Sequence, residues 1–381
     1  MHTWAVILLA DVVRRVIEDL DGHIAETSLG DPFLSSHNYR AHPLKVENFT
    51  KISLASSGRR LAFVDGGNQE LISAPNFSVQ LNRVYFNIFE GRRLVSPEST
   101  PNRIEFFSVT SATFRNEEIH YDTALFPNSE SFADFLPNHS DLSINSRDPT
   151  IMTGNARADI SRVGSIARRF AEWQSAFQIV ERELDHDDIL VMDGTLRTAF
   201  ANESKYAKTA YRTARERGVV YTGLSKTSRL FTTTGLSLLG AVRRLALDNK
   251  SPPMWYYYPI AESLSPEHEA SIFLVKLSDM SQRVFRYEIN AEQAKSLSSD
   301  NLNDIFSALS QNSNDLTFPG YPYGLIDADD NARVRTQELE MYRVMLLSEI
   351  SKLGAAAKFQ RHMESTDAHG IMNLLKAASY P

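Results

Sequence analysis

The sequence predicts an α/β protein: a mixed sheet flanked by helices, with an N-terminal helical extension and a long C-terminal helix. Three observations predict it. Strand-like segments joined by short links occupy residues 60–109, a β-α-β-α alternation runs over 188–247, and helical periodicity closes the chain.

In chain order, Val6, Leu9, Val13, Val16 and Leu20 recur at helical spacing and predict a helix over 3–26. The apolar residues 4–13 follow no basic stretch and run straight into Arg14, Arg15, Glu18 and Asp19, so they read as an amphipathic helix rather than a signal peptide. A polar connector with Gly30, Pro32 and Pro43 extends to about residue 50. Residues 60–65 read as a strand stopped by Gly66-Gly67, followed by strands over 77–89 and 103–109 with Glu90-Gly91 as the turn between them. These three predict an antiparallel meander. Residues 121–150, rich in Pro, Ser, Asn and Asp and without period, read as a surface loop insertion.

Val163, Ile166, Phe170, Trp173, Phe177, Val180 and Leu184, spaced three and four apart, predict the strongest amphipathic helix. Residues 188–192 fit a buried strand ending in Asp193-Gly194. A helix (200–217), a strand (219–224) and a helix (234–247) follow, which argues for a parallel section of sheet. Strands are predicted over 254–260, 270–277 and 283–289, helical pieces over 291–310, and one long helix over 327–352 before a polar tail, 353–381. The predicted organisation is thus an extension (1–50), one domain (51–352) and the tail. Strands first, then helices alternating with strands, then a terminal helix is the RNase H-like order.

Composition narrows the function. Hydrophobic content of 42% and charged content of 23% are ordinary for a globular chain that buries its own core. The absence of cysteine excludes zinc–thiolate sites, thiol nucleophiles and disulfides, and it fits a reducing interior. A formal charge of −7 means that any nucleic-acid contact needs a local basic patch. No further stretch approaches the ~18 apolar residues of a membrane span, so a soluble cytoplasmic protein with no membrane association is expected.

Two segments share one design, an apolar strand ending in Asp-Gly: Leu61-Ala62-Phe63-Val64-Asp65-Gly66 and Ile189-Leu190-Val191-Met192-Asp193-Gly194. An aspartate closing a buried strand is partly shielded from water and calls for a cation or a hydrogen-bond cluster. The bland alternative is a common Asp-Gly turn. Glu172, beside Trp173 on the strong helix, is a third acid at the helix–sheet margin, against a reading as a solvated helix glutamate; Glu181 is the fallback. Oxygen donors suit Mg2+ or Mn2+. A pair of such ions roughly 3.5–4 Å apart can clamp both oxygens of a phosphodiester displacement.

The two Asp-Gly strands, together with Gly320-Tyr321-Pro322-Tyr323-Gly324-Leu325-Ile326-Asp327-Ala328, resemble the NurA family over residues 60–350, in the family's order. NurA proteins are nucleases that work with the hexameric HerA translocase in DNA end resection. The resemblance implies single-strand endonuclease and end-directed exonuclease activity that needs a pair of Mn2+ or Mg2+ ions, a homodimer with a central channel, and a HerA-like ATPase partner. It implies that Asp65, Glu172 and Asp193 are metal-binding acids, that Tyr321 is needed for activity, and that Lys226 neutralises a phosphate. Where the family has histidine at the start of the last helix, this chain has Asp329, which can ligate a hard cation but cannot act as a neutral imidazole. Asp327 and Asp330 crowd the same turn, where acids also serve as simple helix caps.

Arg197, Lys205, Lys208, Arg212, Arg215, Lys226 and Arg229, interleaved with tyrosines after the Asp193 strand, form a candidate DNA-binding patch; the alternative is a solvated helix face. The histidines show no metal-ligand spacing, and residues 255–258 read as a half-buried strand. Two rival readings remain. One is a catalytically weakened relative serving as a structural adaptor, favoured by Asp329. The other is an actin-like ATPase, disfavoured by the lack of a second glycine-rich phosphate turn.

Overall fold

Runs such as Leu61-Ala62-Phe63-Val64 and Ile189-Leu190-Val191-Met192 are apolar at every position, so strands built from them need cover on both faces. The structure, a computed structural model, describes residues 2–23, 28–34, 38–55 and 58–363. Helix α1 (His2–His23) and the short strands β1 (Pro32–Phe33), β2 (Tyr39–Ala41) and β3 (Phe49–Lys51) precede a long meander. The meander comprises β4 (Arg60–Ala74), β5 (Phe77–Glu90), the short β6 (Arg93–Val95), β7 (Arg103–Arg115) and β8 (Glu118–Pro127). After β9 (Ser143–Asn145) come α2 (Ile160–Arg182), β10 (Ile189–Asp193), α3 (Glu203–Arg217), β11 (Val220–Ser225), β12 (Phe231–Thr232) and α4 (Leu238–Asp248). Strands β13 (Trp255–Tyr257), β14 (Ala261–Ser263), β15 (Ala270–Lys276) and β16 (Phe285–Asn290) follow. Helices α5 (Ala291–Ser296), α6 (Ser299–Asn312), α7 (Tyr323–Ala332), α8 (Thr336–Lys352) and α9 (Ala356–Met363) complete the described chain.

The centre of the sheet runs β7-β5-β4-β10-β11. Strands β4, β5 and β7 are antiparallel neighbours, whereas β10 lies parallel to β4 and β11 parallel to β10. In chain order this is third, second, first, fourth, fifth, with α3 as the crossover between β10 and β11. That is the RNase H-like arrangement. Strands β16 and β15 extend it antiparallel beyond β11.

Alternation along each strand divides the core in two. Ala62, Val64, Leu190 and Met192 pack under α2 and α3 with Phe170, Trp173 and Ile179. Leu61, Phe63, Ile189 and Val191 pack on the opposite face against α6 and α7, with Phe306, Leu309 and Leu325.

Four expectations change. Strand β4 does not stop at Gly66-Gly67 but continues to Ala74, because both glycines lie under close-packed neighbours. A Cβ at Gly66 would overlap Glu172, and one at Gly67 would overlap the backbone of Ala332. The region 121–150 is not one loop: residues 121–127 pair with β7 as the second half of β8, and β9 adds a further strand. The connector before residue 50 contributes β2 and β3, which pair with β14 and β13 at the sheet's edge. The long terminal helix is broken between Ala332 and Thr336, where Val334 turns inward to pack with Leu71 and Leu81. Residues 364–381 of the tail lie outside the described residues, as do 24–26 of the expected first helix. No helix among the described residues is long and apolar enough to cross a membrane.

Candidate metal centre

Strand parity decides where the two Asp-Gly acids point. Asp65 follows Leu61 and Phe63 at two-residue intervals, and Asp193 follows Ile189 and Val191, so both carboxylates belong to the α7 face. The parallel register pairs Val64 with Met192, which brings the next residues, Asp65 and Asp193, side by side where the pairing of β4 with β10 ends. Helix α7 supplies the third acid. One carboxylate oxygen each from Asp65, Asp193 and Asp329 lies within 4.8 Å of the others, a spacing that suits a shared cation.

The segment before α7 aims that helix. Gly320 adopts φ +90°, a left-handed turn that favours glycine. The turn drives Tyr321 into the core, where it is 1% exposed. Gly324 is needed for close approach, since a Cβ there would overlap the Phe63 ring of β4. Asn87 donates to the Gly324 carbonyl at 2.8 Å, and the Gly324 amide donates to Asn312 at 2.9 Å. Helix α7 therefore begins at Tyr323, and Asp329 sits near its C-terminal end rather than in its first turn. A carboxylate there opposes the helix dipole, so N-terminal capping does not account for Asp329.

The three carboxyl groups crowd one another. Burial, together with Asp193 and Glu172 nearby, raises the Asp65 carboxyl to about 8. Lys226, just beyond β11, donates at 2.8 Å to Asp193 and at 2.8 Å to Asp329. Burial raises the Asp329 carboxyl, but Lys226 and Arg333 outweigh it and hold the group below its ordinary value. The Tyr321 hydroxyl lies 3.5 Å from Asp193, and burial plus the three aspartates raise its pKa well above the ordinary range, so it stays a donor.

Glu172, expected in the same set, is not one of these three. It lies on the α2 face, against Gly66, with both oxygens engaged: one by Arg168 and one by Arg169 at 3.1 Å. Arg169 also donates to Glu203 at 2.9 Å, and the Trp173 indole donates to the same Glu203 oxygen at 2.7 Å. Arg168 reaches across to the Gly66 carbonyl at 3.0 Å. Glu172 thus contributes field to the metal-facing acids from behind the sheet.

The expected basic patch divides similarly. Helix α3 packs on the α2 face, away from the aspartates. Its Lys205 pairs with Asp141 at 2.7 Å, Lys208 lies 3.8 Å from Glu269, and Arg215 pairs with Glu292. Arg197, Arg212 and Arg229 are exposed. Of the patch, only Lys226 touches the acid cluster. Sequence reading missed Arg243 and Arg283, which lie far along the chain but border a groove beside Lys226. No periodic signal links them.

An RNase H-like sheet whose neighbouring central strands and covering helix converge three carboxylates defines an α/β protein with a site fit for hard divalent cations. The family described as "NurA domain" matches residues 59–334, most of the chain. The chain belongs to the NurA family, a family of nucleases. No curated protein matches it. Among solved structures it is similar to the Argonaute of Aquifex aeolicus, at 7% identity and a TM-score of 0.28, covering 73% of this chain and 28% of that one. A second structure of that Argonaute gives 6% identity and a TM-score of 0.27 over 72% of this chain and 28% of that one. The chain spans little more than a quarter of the length of these Argonautes.

Proposed function

We propose that this protein is a divalent-metal-dependent deoxyribonuclease that cuts single strands and trims duplex ends. It acts as a homodimer with a HerA-like hexameric ATPase in DNA end resection. The observation that carries the nuclease reading is the convergence of Asp65, Asp193 and Asp329, from β4, β10 and α7, within 4.8 Å. The donor set fits the group it would hold: oxygen ligands only, and three acids with Lys226 as the cation bonded to two of them. Asp65, Asp193 and Asp329 would hold Mn2+ or Mg2+, as one ion or a pair. Such ions supply a water of lowered pKa and neutralise charge on the phosphoryl group. Lys226 is placed to pair with a phosphate oxygen. Tyr321, fixed in the core, donates toward Asp193 and holds that carboxylate's orientation. The end-resection role and the partner rest on family membership.

Asp65→Ala and Asp193→Ala should each lower Mn2+-dependent cleavage of a labelled oligonucleotide at least about a hundredfold. Their melting temperatures should stay near the parent's, because each change relieves repulsion among acids. Undiminished cleavage by repurified Asp193→Ala protein overturns the assignment. The adaptor reading is favoured by one observation, the Lys226 ammonium already joining Asp193 and Asp329. Calorimetric titration with Mn2+ separates the two: a nuclease shows a site lost in Asp193→Ala, whereas an adaptor shows none.

A further inference from the structure

A groove of about 380 Å³ opens beside Lys226, within the size range of small-molecule and nucleotide sites. Arg243 of α4, Arg283 before β16, Phe285 and Phe318 border it. Both arginines are exposed, and among the described residues neither pairs with a carboxylate. Lys205, Lys208 and Arg215 on helix α3, by contrast, are held by acidic partners. The Arg283 guanidinium lies 3.7 Å over the Phe318 ring, so this face of the ring accepts a flat partner. Phe318 is itself braced edge-on by Tyr321 at 5.6 Å, the residue that contacts Asp193.

We infer that this groove holds the single-stranded segment next to the scissile phosphate, with backbone phosphates on Arg243 and Arg283 and one base stacked on Phe318. The inference rests on the nuclease reading for the position of the cut, but the binding it describes does not need catalysis. Unpaired guanidinium groups attract a polyanion by counterion release, and an aromatic face adds sequence-tolerant stacking that double-stranded DNA cannot use. A base entering the groove takes the place of Arg283 over the ring and frees that guanidinium for a phosphate. The acid cluster alone would repel the backbone. Cations on its flank, at the far side of Lys226, hold the strand against that repulsion.

The test is fluorescence anisotropy of the full chain in EDTA, so that no cleavage occurs, with a labelled oligo-dT strand and an abasic strand of equal length. Arg243→Ala and Arg283→Ala should each weaken oligo-dT binding about 5- to 10-fold at low salt and reduce the salt slope by about one. Phe318→Leu, which keeps most of the apolar volume against Tyr321, should weaken oligo-dT binding about 5-fold and leave the abasic strand unaffected. Parent-like binding by all three variants overturns the inference. So does equal affinity of the parent for both strands, or equally effective competition by polyglutamate. If Mn2+ supports no cleavage while the base-dependent, variant-sensitive binding persists, the nuclease reading fails and the groove stands.

Discussion

The two faces of the central sheet carry carboxylate clusters of opposite character. On the α2 side, Glu203 is fully buried and its oxygens are all engaged: by Arg169, by the Trp173 indole, and by the backbone amides of Ala199 at 2.7 Å and Phe200 at 3.1 Å. Glu172 beside it is matched to two arginines. On the α7 side, Asp193 and Asp329 share Lys226, Arg333 pairs with Asp329 alone, and Asp65 receives no cationic hydrogen bond at all among the described residues. Equal chemistry in the two clusters has been put to different ends. A satisfied buried acid fixes structure, whereas an unsatisfied one keeps capacity for a ligand.

The largest expected effect falls on the satisfied side. Glu203→Ala leaves the Arg169 guanidinium, the indole and two amides without their acceptor, and breaking a buried ion pair from one side costs about 3–5 kcal/mol. Urea denaturation should show that loss. An unchanged midpoint would erase the distinction between the two clusters.

Glu172→Gln probes the boundary and should have a smaller effect. The amide keeps one acceptor for the arginines, so a loss of about 1.5–3 kcal/mol is expected, the range for hydrogen bonds to charged groups. Mn2+ binding, followed by calorimetry, should remain. If Glu172→Gln removes the metal site as Asp193→Ala is expected to, then the arginine clamp opens in the loaded protein and Glu172 joins the aspartates, as the family resemblance implies.

How much of this was legible in the sequence follows from what periodicity encodes. Apolar runs and helical spacing place Asp65 and Asp193 each at the close of a buried apolar run, and the element order predicts the meander followed by parallel strands. Periodicity says which residues share a face, but not which helix covers that face. Hence Glu172, adjacent to the strand in space, stands against Gly66 on the α2 face, and helix α3 carries its basic residues away from the aspartates. Gly66-Gly67 reads locally as a stop, yet it serves close packing by α2 and α7, a tertiary fact. Val334 interrupts the last helix for the same reason: a small apolar cluster with Leu71 and Leu81 outweighs the local helical preference of a continuous run.

The smallest expected effect tests Asp329, the position where the family resemblance implies a histidine. Asp329 accepts from Lys226 at 2.8 Å and from Arg333 at 2.7 Å, so its carboxylate anchors the lysine as well as facing the other aspartates. Asp329→His removes one negative charge and releases Lys226 to Asp193 alone. Binding of a divalent ion then uses a neutral imidazole, which requires loss of a proton near pH 6.5. Cleavage by Asp329→His should therefore lie within about tenfold of the parent at pH 8, the size of a shift of roughly 1.4 kcal/mol. Its rate should fall as pH drops through the imidazole range, relative to the parent measured on the same oligonucleotide. Loss of all cleavage at every pH would mean that the third negative charge is essential and that Asp329 is a working ligand in its own right. A rate above the parent's at pH 8 would mean instead that the Lys226–Asp329 pair holds the native site back.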